Sequence, residues 1–225
     1  ACLRMLQAKR LEAWAPLRTE VVVRNVEKCA KTFFADAQKK LCTKTGQRYR
    51  RFLGGLTCQG FYFLDQTPTV LCKSGYVLQG ENGLAPLLLE NLENGFLAAG
   101  YTVVSCPDPI QPKLLAHLLV PELELAFVTG AVTSGLGYQT IHTESLAEKT
   151  VWQENRAKLR EMLHLAEKEQ QKAIDYLKEA KACHDTLEEL YHPYVDFQYT
   201  DQVTEKILAE ILALPDQPLA TSFFL

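Results

Sequence analysis

Between Thr19 and Leu41 the apolar residues Val22, Val26, Cys29, Phe33 and Ala37 recur at three- and four-residue steps. That spacing places them on one face of a helix, with Lys28, Lys31, Lys39 and Lys40 largely outside it. A shorter helix precedes it and stops near Pro16, because proline removes a donor and clashes with the preceding turn. The longer helix is expected to end around Thr43–Gly46. From Tyr49 to Thr69 the texture changes to short aromatic and glycine-rich runs, such as Gly60-Phe61-Tyr62-Phe63-Leu64, which predict edge strands and turns.

The middle of the chain alternates short apolar runs with one helical stretch. Gly75–Gln79 reads as a buried strand, and Gly80-Glu81-Asn82-Gly83 as a glycine turn. Leu87–Ala99 reads as a helix closed by Gly100, and Tyr101–Ser105 as the next strand. Leu125–Thr129 reads as a later one. Strand, glycine turn, helix and strand make a βαβ unit, which predicts an α/β fold with a parallel sheet.

From about Leu146 to Tyr191 there is neither glycine nor proline. Leu159, Ala166, Ala173, Ala180 and Leu187 lie seven apart, and Leu163, Gln170, Leu177, His184 and Tyr191 form a second seam. Two seams at this spacing predict a long helix of coiled-coil character. A further amphipathic helix is expected over Asp201–Leu212, after the turn at His192-Pro193. Both helices need a partner, either the N-terminal helices or another subunit. The expected organisation is basic N-terminal helices over 1–46, an α/β core over 47–145, long and C-terminal helices over 146–213, and a tail over 214–225.

Composition narrows the class. An apolar share of 47% and a charged share of 23% are those of a globular domain. No apolar run approaches the roughly 18–20 residues that span a bilayer, so no membrane role is expected. The first residues carry Arg4, Lys9 and Arg10 without an apolar core, which argues against a secretory signal. Ala1 in place of a methionine implies a trimmed chain or a fragment. The seven cysteines are scattered and form no Cys-x-x-Cys pair, so they fit small buried residues in a reducing cytoplasm and no zinc site. The net charge of −3 hides an asymmetry: residues 1–51 hold thirteen Lys and Arg against four Asp and Glu, the remainder eleven against twenty-three. Such blocks suit docking on each other or on protein partners. The basic segment lacks the interleaved aromatics of a base-stacking surface, so nucleic acid is not the expected partner.

The candidate chemistry lies at the glycine turn. A phosphate loop needs glycines that let backbone N–H groups curl around phosphate oxygens, a lysine that reaches the β- and γ-phosphates, and a hydroxyl that holds magnesium. Laid on Gly80, the pattern G-x-x-x-x-G-K-[ST] puts Ala85 at the last glycine, Pro86 at the lysine and Leu87 at the hydroxyl. None of the three can do the work. The acidic strand that should order magnesium fails as well, because Leu125-Ala126-Phe127-Val128 ends in Thr129. Gly80, Glu81, Asn82, Gly83, Leu84 and Ala85 remain as a degenerate nucleotide-binding loop, in which backbone amides give at most weak anion affinity.

Several short segments in a specific order carry a family resemblance. They are Arg51-Phe52-Leu53-Gly54-Gly55-Leu56-Thr57 with Gly60-Phe61, Tyr76–Glu81, Gly100–Val103, Cys106-Pro107-Asp108, Val120–Leu123, Leu125–Val128 and Tyr191–Phe197. Over roughly residues 49–213 the chain resembles the uncharacterised P-loop ATPases of Firmicutes, which are built from two similar nucleotide-binding repeats. The resemblance implies a P-loop NTPase-like sheet with flanking helices and a long helical appendage, with ATP and magnesium as the ligands of intact members. The departures fall on the functional positions Pro86, Leu87 and Thr129. Where the family has Asp-Gly-Thr-Ala-Pro-His, this chain reads Thr129-Gly130-Ala131-Val132-Thr133-Ser134.

Other residues qualify less well. Cys106, with Asp108 two residues on, is either a thiol at a strand end near a phosphate-sized pocket or a packed small residue. His142-Thr143-Glu144 and His184-Asp185 are the histidine–carboxylate neighbours, and no metal-ligand spacing or nucleophilic triad emerges. The expected function is a catalytically silent P-loop-like domain with a structural or regulatory role. Two alternatives stay open: an atypical ATP-dependent enzyme that takes its cation from Lys73 or Arg50/Arg51, and a helical adaptor that associates through residues 146–191.

Overall fold

The computed structural model describes residues 1–35, 45–80, 82–130 and 138–214. The chain divides into two units, residues 1–177 and 178–225. In the first, α1 (Cys2–Trp14) runs into a 3-10 turn at Ala15–Leu17, and α2 (Glu20–Ala35) follows. The break falls at Pro16, as the sequence predicts. Val22, Val26 and Ala30 of α2 are buried, and Phe33 packs against the same core. The predicted stretch of this helix beyond Ala35, with Ala37, Lys39 and Lys40, lies outside the described residues.

Six strands build the main sheet: β1 (Arg48–Arg50), β4 (Ser74–Gln79), β5 (Val103–Pro107), β6 (Leu115–Val120), β7 (Leu125–Thr129) and β8 (Gln139–His142). The hairpin of β2 (Gly54–Thr57) and β3 (Gly60–Phe63) stands apart as a second sheet, and α3 (Gln66–Leu71) precedes β4. The order in the main sheet is β1-β5-β6-β7-β4-β8. β1 pairs parallel with β5, and β4 pairs parallel with both β7 and β8. β6 runs antiparallel to both of its neighbours.

The sheet is therefore mixed and not parallel throughout. The cause is local. Pro121–Leu123 form a 3-10 turn that ends on Glu124 at φ 49°, and so short a link returns the chain antiparallel, whereas a parallel return needs a crossover of a dozen residues or more. β4 and β5 do run in the same direction, joined by α4 (Leu84–Ala98), with β6 and β7 lying between them.

Helix α4 supplies the core. Leu84, Leu88, Leu89, Leu92 and Phe96 are fully buried between α2 and one sheet face, which offers Leu78, Val103, Leu118, Val120 and Phe127. The ring of Phe127 meets Phe33 of α2 at 5.2 Å, Tyr76 of β4 at 5.5 Å and Phe96 of α4 at 6.1 Å. On the opposite edge of α4, buried Glu93 accepts a hydrogen bond from Ser105 and pairs with Arg48 at 3.0 Å, which ties the edge strand β1 to the helix.

Helix α5 (Lys149–Tyr191) begins in the first unit. Its predicted seam is buried at Leu159, Ala166 and Ala173, and Ala166 clusters with Leu6 of α1 and Ile110. At Ala166 the seam is covered by the chain's own N-terminal helix. The second unit holds the end of α5, a 3-10 turn at His192–Tyr194, and α6 (Phe197–Leu212), capped by Asp196, which accepts from the Tyr199 amide at 3.0 Å. No residue of α6 is buried, and Val203, Ile207 and Ile211 leave an apolar row exposed.

Replacing Phe127 by alanine removes the ring that three elements share. Urea denaturation of Phe127→Ala is expected to show a loss of about 3–5 kcal/mol, the cost of a large buried aromatic together with its cavity.

Candidate functional site

The C-terminal ends of β4, β5 and β7 meet along one edge of the sheet, and antiparallel β6 brings its N-terminal residues to the same edge. In open α/β sheets this edge is where ligands bind. A cavity of about 1010 Å³ opens there, lined from the sheet by Gly80, Asp108, His117 and Thr129, from α1 by Arg10 and Trp14, and from β3 by Phe63. All of it lies in the first unit.

The turn after β4 is shorter than a phosphate loop. The strand ends at Gln79 and the helix begins at Leu84, with Gly83 at φ 70° as its N-cap. Ala85, Pro86 and Leu87 therefore sit in the first helical turn and not in a loop. Proline is tolerated there because the first-turn N–H groups have no intrahelical partner.

The inner side of the turn is filled by protein. Asn82 is fully buried, and its Oδ1 accepts from the Leu84 amide at 3.1 Å. The Thr143 hydroxyl donates to the Gln79 carbonyl at 2.8 Å and lies 3.0 Å from Asn82 Oδ1. A Cβ on Gly80 would overlap that hydroxyl, and one on Gly83 would overlap the Trp14 indole. An anion approaching the helix N-terminus thus finds one amide taken by Asn82 and another missing at Pro86. Glu81, predicted as part of the loop, lies outside the described residues.

The run Leu125–Thr129, weighed as an acidic strand, forms β7. β7 lies parallel beside β4, with Leu78 opposite Thr129. Instead of offering a carboxylate, Thr129 donates its amide to His117 Nδ1 at 3.2 Å. Gly130 follows at the cavity wall, and 131–134 lie outside the described residues.

His117 is the residue that the sequence reading missed. It sits within the apolar run of β6, packed against Phe63 at 4.9 Å. Burial pushes its pKa down to about 4, so the ring is neutral, and because Nδ1 accepts, Nε2 carries the proton. Arg10, in sequence simply one of the basic residues of the N-terminal helices, stands at the same cavity. Its guanidinium lies 3.5 Å from Asp108, whose other oxygen accepts the amides of Ile110 and Gln111, both at 2.8 Å.

Cys106 does not join the site. It is fully buried and does not line the cavity, and burial pushes its pKa up to about 12, which keeps it a thiol. The proposed substitute cations are elsewhere too. Lys73 pairs with Glu124 at the opposite end of β4, a strand of about 20 Å at the usual rise. Arg50 donates to the Pro112 carbonyl and lines a separate cavity of about 150 Å³ with Arg48 and Glu93, and Arg51 donates to the Arg50 carbonyl.

No family model matches the chain, and no match was found among the curated proteins or the solved structures. The site must be read from its own chemistry. No helix among the described residues is long and apolar enough to cross a membrane. Outside the cavity, Glu188 joins the sequence neighbours His184 and Asp185 on an exposed face of α5, with three ligand atoms within 4.8 Å of one another. Lys181 already holds the Asp185 carboxylate at 2.7 Å.

The His117 assignment has a measurable consequence. The unfolded histidine titrates near 6.5 and the folded one near 4, so no stability is at stake above about pH 7. As pH falls below 6.5 the unfolded chain takes up a proton that the folded chain refuses, and folding weakens. Urea denaturation is expected to show a His117-dependent loss of about 2 kcal/mol between pH 7 and pH 5, and that slope should vanish in His117→Gln.

Proposed function

We propose that the chain is a P-loop NTPase-like domain related to the two-repeat ATPases of Firmicutes, that it has lost ATP hydrolysis, and that it serves a structural or regulatory role. The observation that carries this is the turn after β4: four residues long, filled by Asn82 and Thr143, and covered at Gly83 by Trp14. The kinship is supported by a glycine turn between a strand and a crossing helix, with a second apolar strand, β7, running parallel beside it. The loss of hydrolysis is supported by Pro86, Leu87 and Thr129. None of them can reach the phosphates with a charge or complete a magnesium shell.

A steady-state assay of the full chain with Mg-ATP tests this directly. No turnover above the enzyme-free blank is expected, and equilibrium dialysis should find no saturable ATP binding below millimolar concentrations. Turnover that disappears in Asn82→Ala would overturn the proposal.

One further observation favours association through the helices. The exposed row Val203, Ile207 and Ile211 has the one-sided character of a docking helix. Light scattering is expected to report a mass above that of one chain at micromolar concentration, reverting to monomer in Ile207→Glu. A strictly monomeric wild type would remove this role.

A further inference from the structure

We infer that the crevice at the C-terminal edge of the sheet is a binding site for a small carboxylate with an apolar or aromatic body. This rests on the reading that the crevice no longer serves ATP, and it names what the same space takes instead.

The deciding feature is His117. The residue is only 5% exposed, yet it lines the cavity. Nδ1 is engaged by the Thr129 amide, and among the described residues nothing accepts from Nε2–H. Nε2 is not sealed in the core, so it can donate to a ligand in the cavity. A neutral imidazole offers an acceptor oxygen one hydrogen bond and brings no charge of its own.

The charge comes from Arg10. Among the described residues its one partner is Asp108, at 3.5 Å, a long contact for a guanidinium with five donors. Asp108 is already supplied with two backbone amides, so a ligand carboxylate can draw on Arg10 without stranding it. A guanidinium fork and a neutral N–H donor suit a planar carboxylate. The wall also carries apolar side chains, Leu6, Trp14, Phe61, Phe63, Ile110 and Leu163, beside the polar Asp65, Glu167 and Gln170. The apolar side chains suit the body of a small ligand, and the polar ones fix its orientation.

Charge also sets the upper limit. Asp65 and Glu167 stand exposed at the wall, and with Asp108 they outnumber the single cation among its described residues. One negative charge can be held by Arg10, but a triphosphate would be repelled. A cationic ligand would face Arg10 and the donor face of His117 at one side and the carboxylates Asp65 and Glu167 at other parts of the wall. Binding of the ammonium in place of the carboxylate would therefore overturn the inference.

Isothermal titration of the full chain with 3-phenylpropionate, uncharged 3-phenylpropionamide, 3-phenylpropylammonium and Mg-ATP distinguishes these cases. The carboxylate is expected to bind about tenfold more tightly than the amide, the gain of one charge-assisted contact, and the ammonium to give no heat. Arg10→Met keeps the aliphatic stem and should weaken carboxylate binding about tenfold, as should His117→Phe. If His117→Phe does not fold, the Nε2–H resonance of the wild type, shifted by the carboxylate and not by the ammonium, replaces it. The inference is overturned if the carboxylate does not bind, if the amide binds as well as the acid, or if Arg10→Met binds it unchanged. Those outcomes leave the loss of hydrolysis untouched, whereas Mg-ATP turnover would overturn that reading whatever the carboxylate does.

Discussion

Burial of helix α4 is the constraint on which the rest of the first unit depends. Five of its large side chains are removed from water between α2 and the sheet, worth on the order of 10 kcal/mol at the usual value for a buried aliphatic or aromatic residue. That burial fixes where the helix begins, and with it the length of the turn after β4. A longer phosphate loop would need the helix to start later and would take Leu84 and Ala85 out of the core. The same packing that stabilises the fold therefore keeps the turn short.

The crevice follows from that geometry. With α4 held down, Asn82 is driven inward and satisfies the first amide of the helix, while Thr143 closes the turn from the far side. Helix α1 then lies against the edge, with Trp14 over Gly83 and Arg10 beside Asp108. The cavity wall becomes a composite of strand ends, hairpin, α1 and α5. Its polar groups come from segments that are distant in sequence, and so its chemistry differs from that of the motif at its centre.

A hidden donor and a hidden cation give the site its character. His117 is neutral because it is buried, and its tautomer is set by one backbone amide. Arg10 is charged and only loosely engaged. Neither property belongs to the residue type alone. Each is a product of where β6 and α1 come to rest.

The sequence alone determined what local patterning can determine. The 3.6-residue period marked α2, the glycine turn separated β4 from α4, and the short apolar runs marked β4, β5 and β7, since burial of one face or both leaves its trace in neighbouring residues. The absence of a lysine, a hydroxyl and an acid at Pro86, Leu87 and Thr129 was equally legible, because a missing charge needs no coordinates. The antiparallel course of β6 was not legible, since Leu115–Val120 reads as an apolar run in either direction. The roles of His117, Arg10, Trp14 and Thr143 were decided only by the tertiary structure. Each acts on a partner at least twelve positions away, through hydrogen bonds and close contacts that no local pattern encodes.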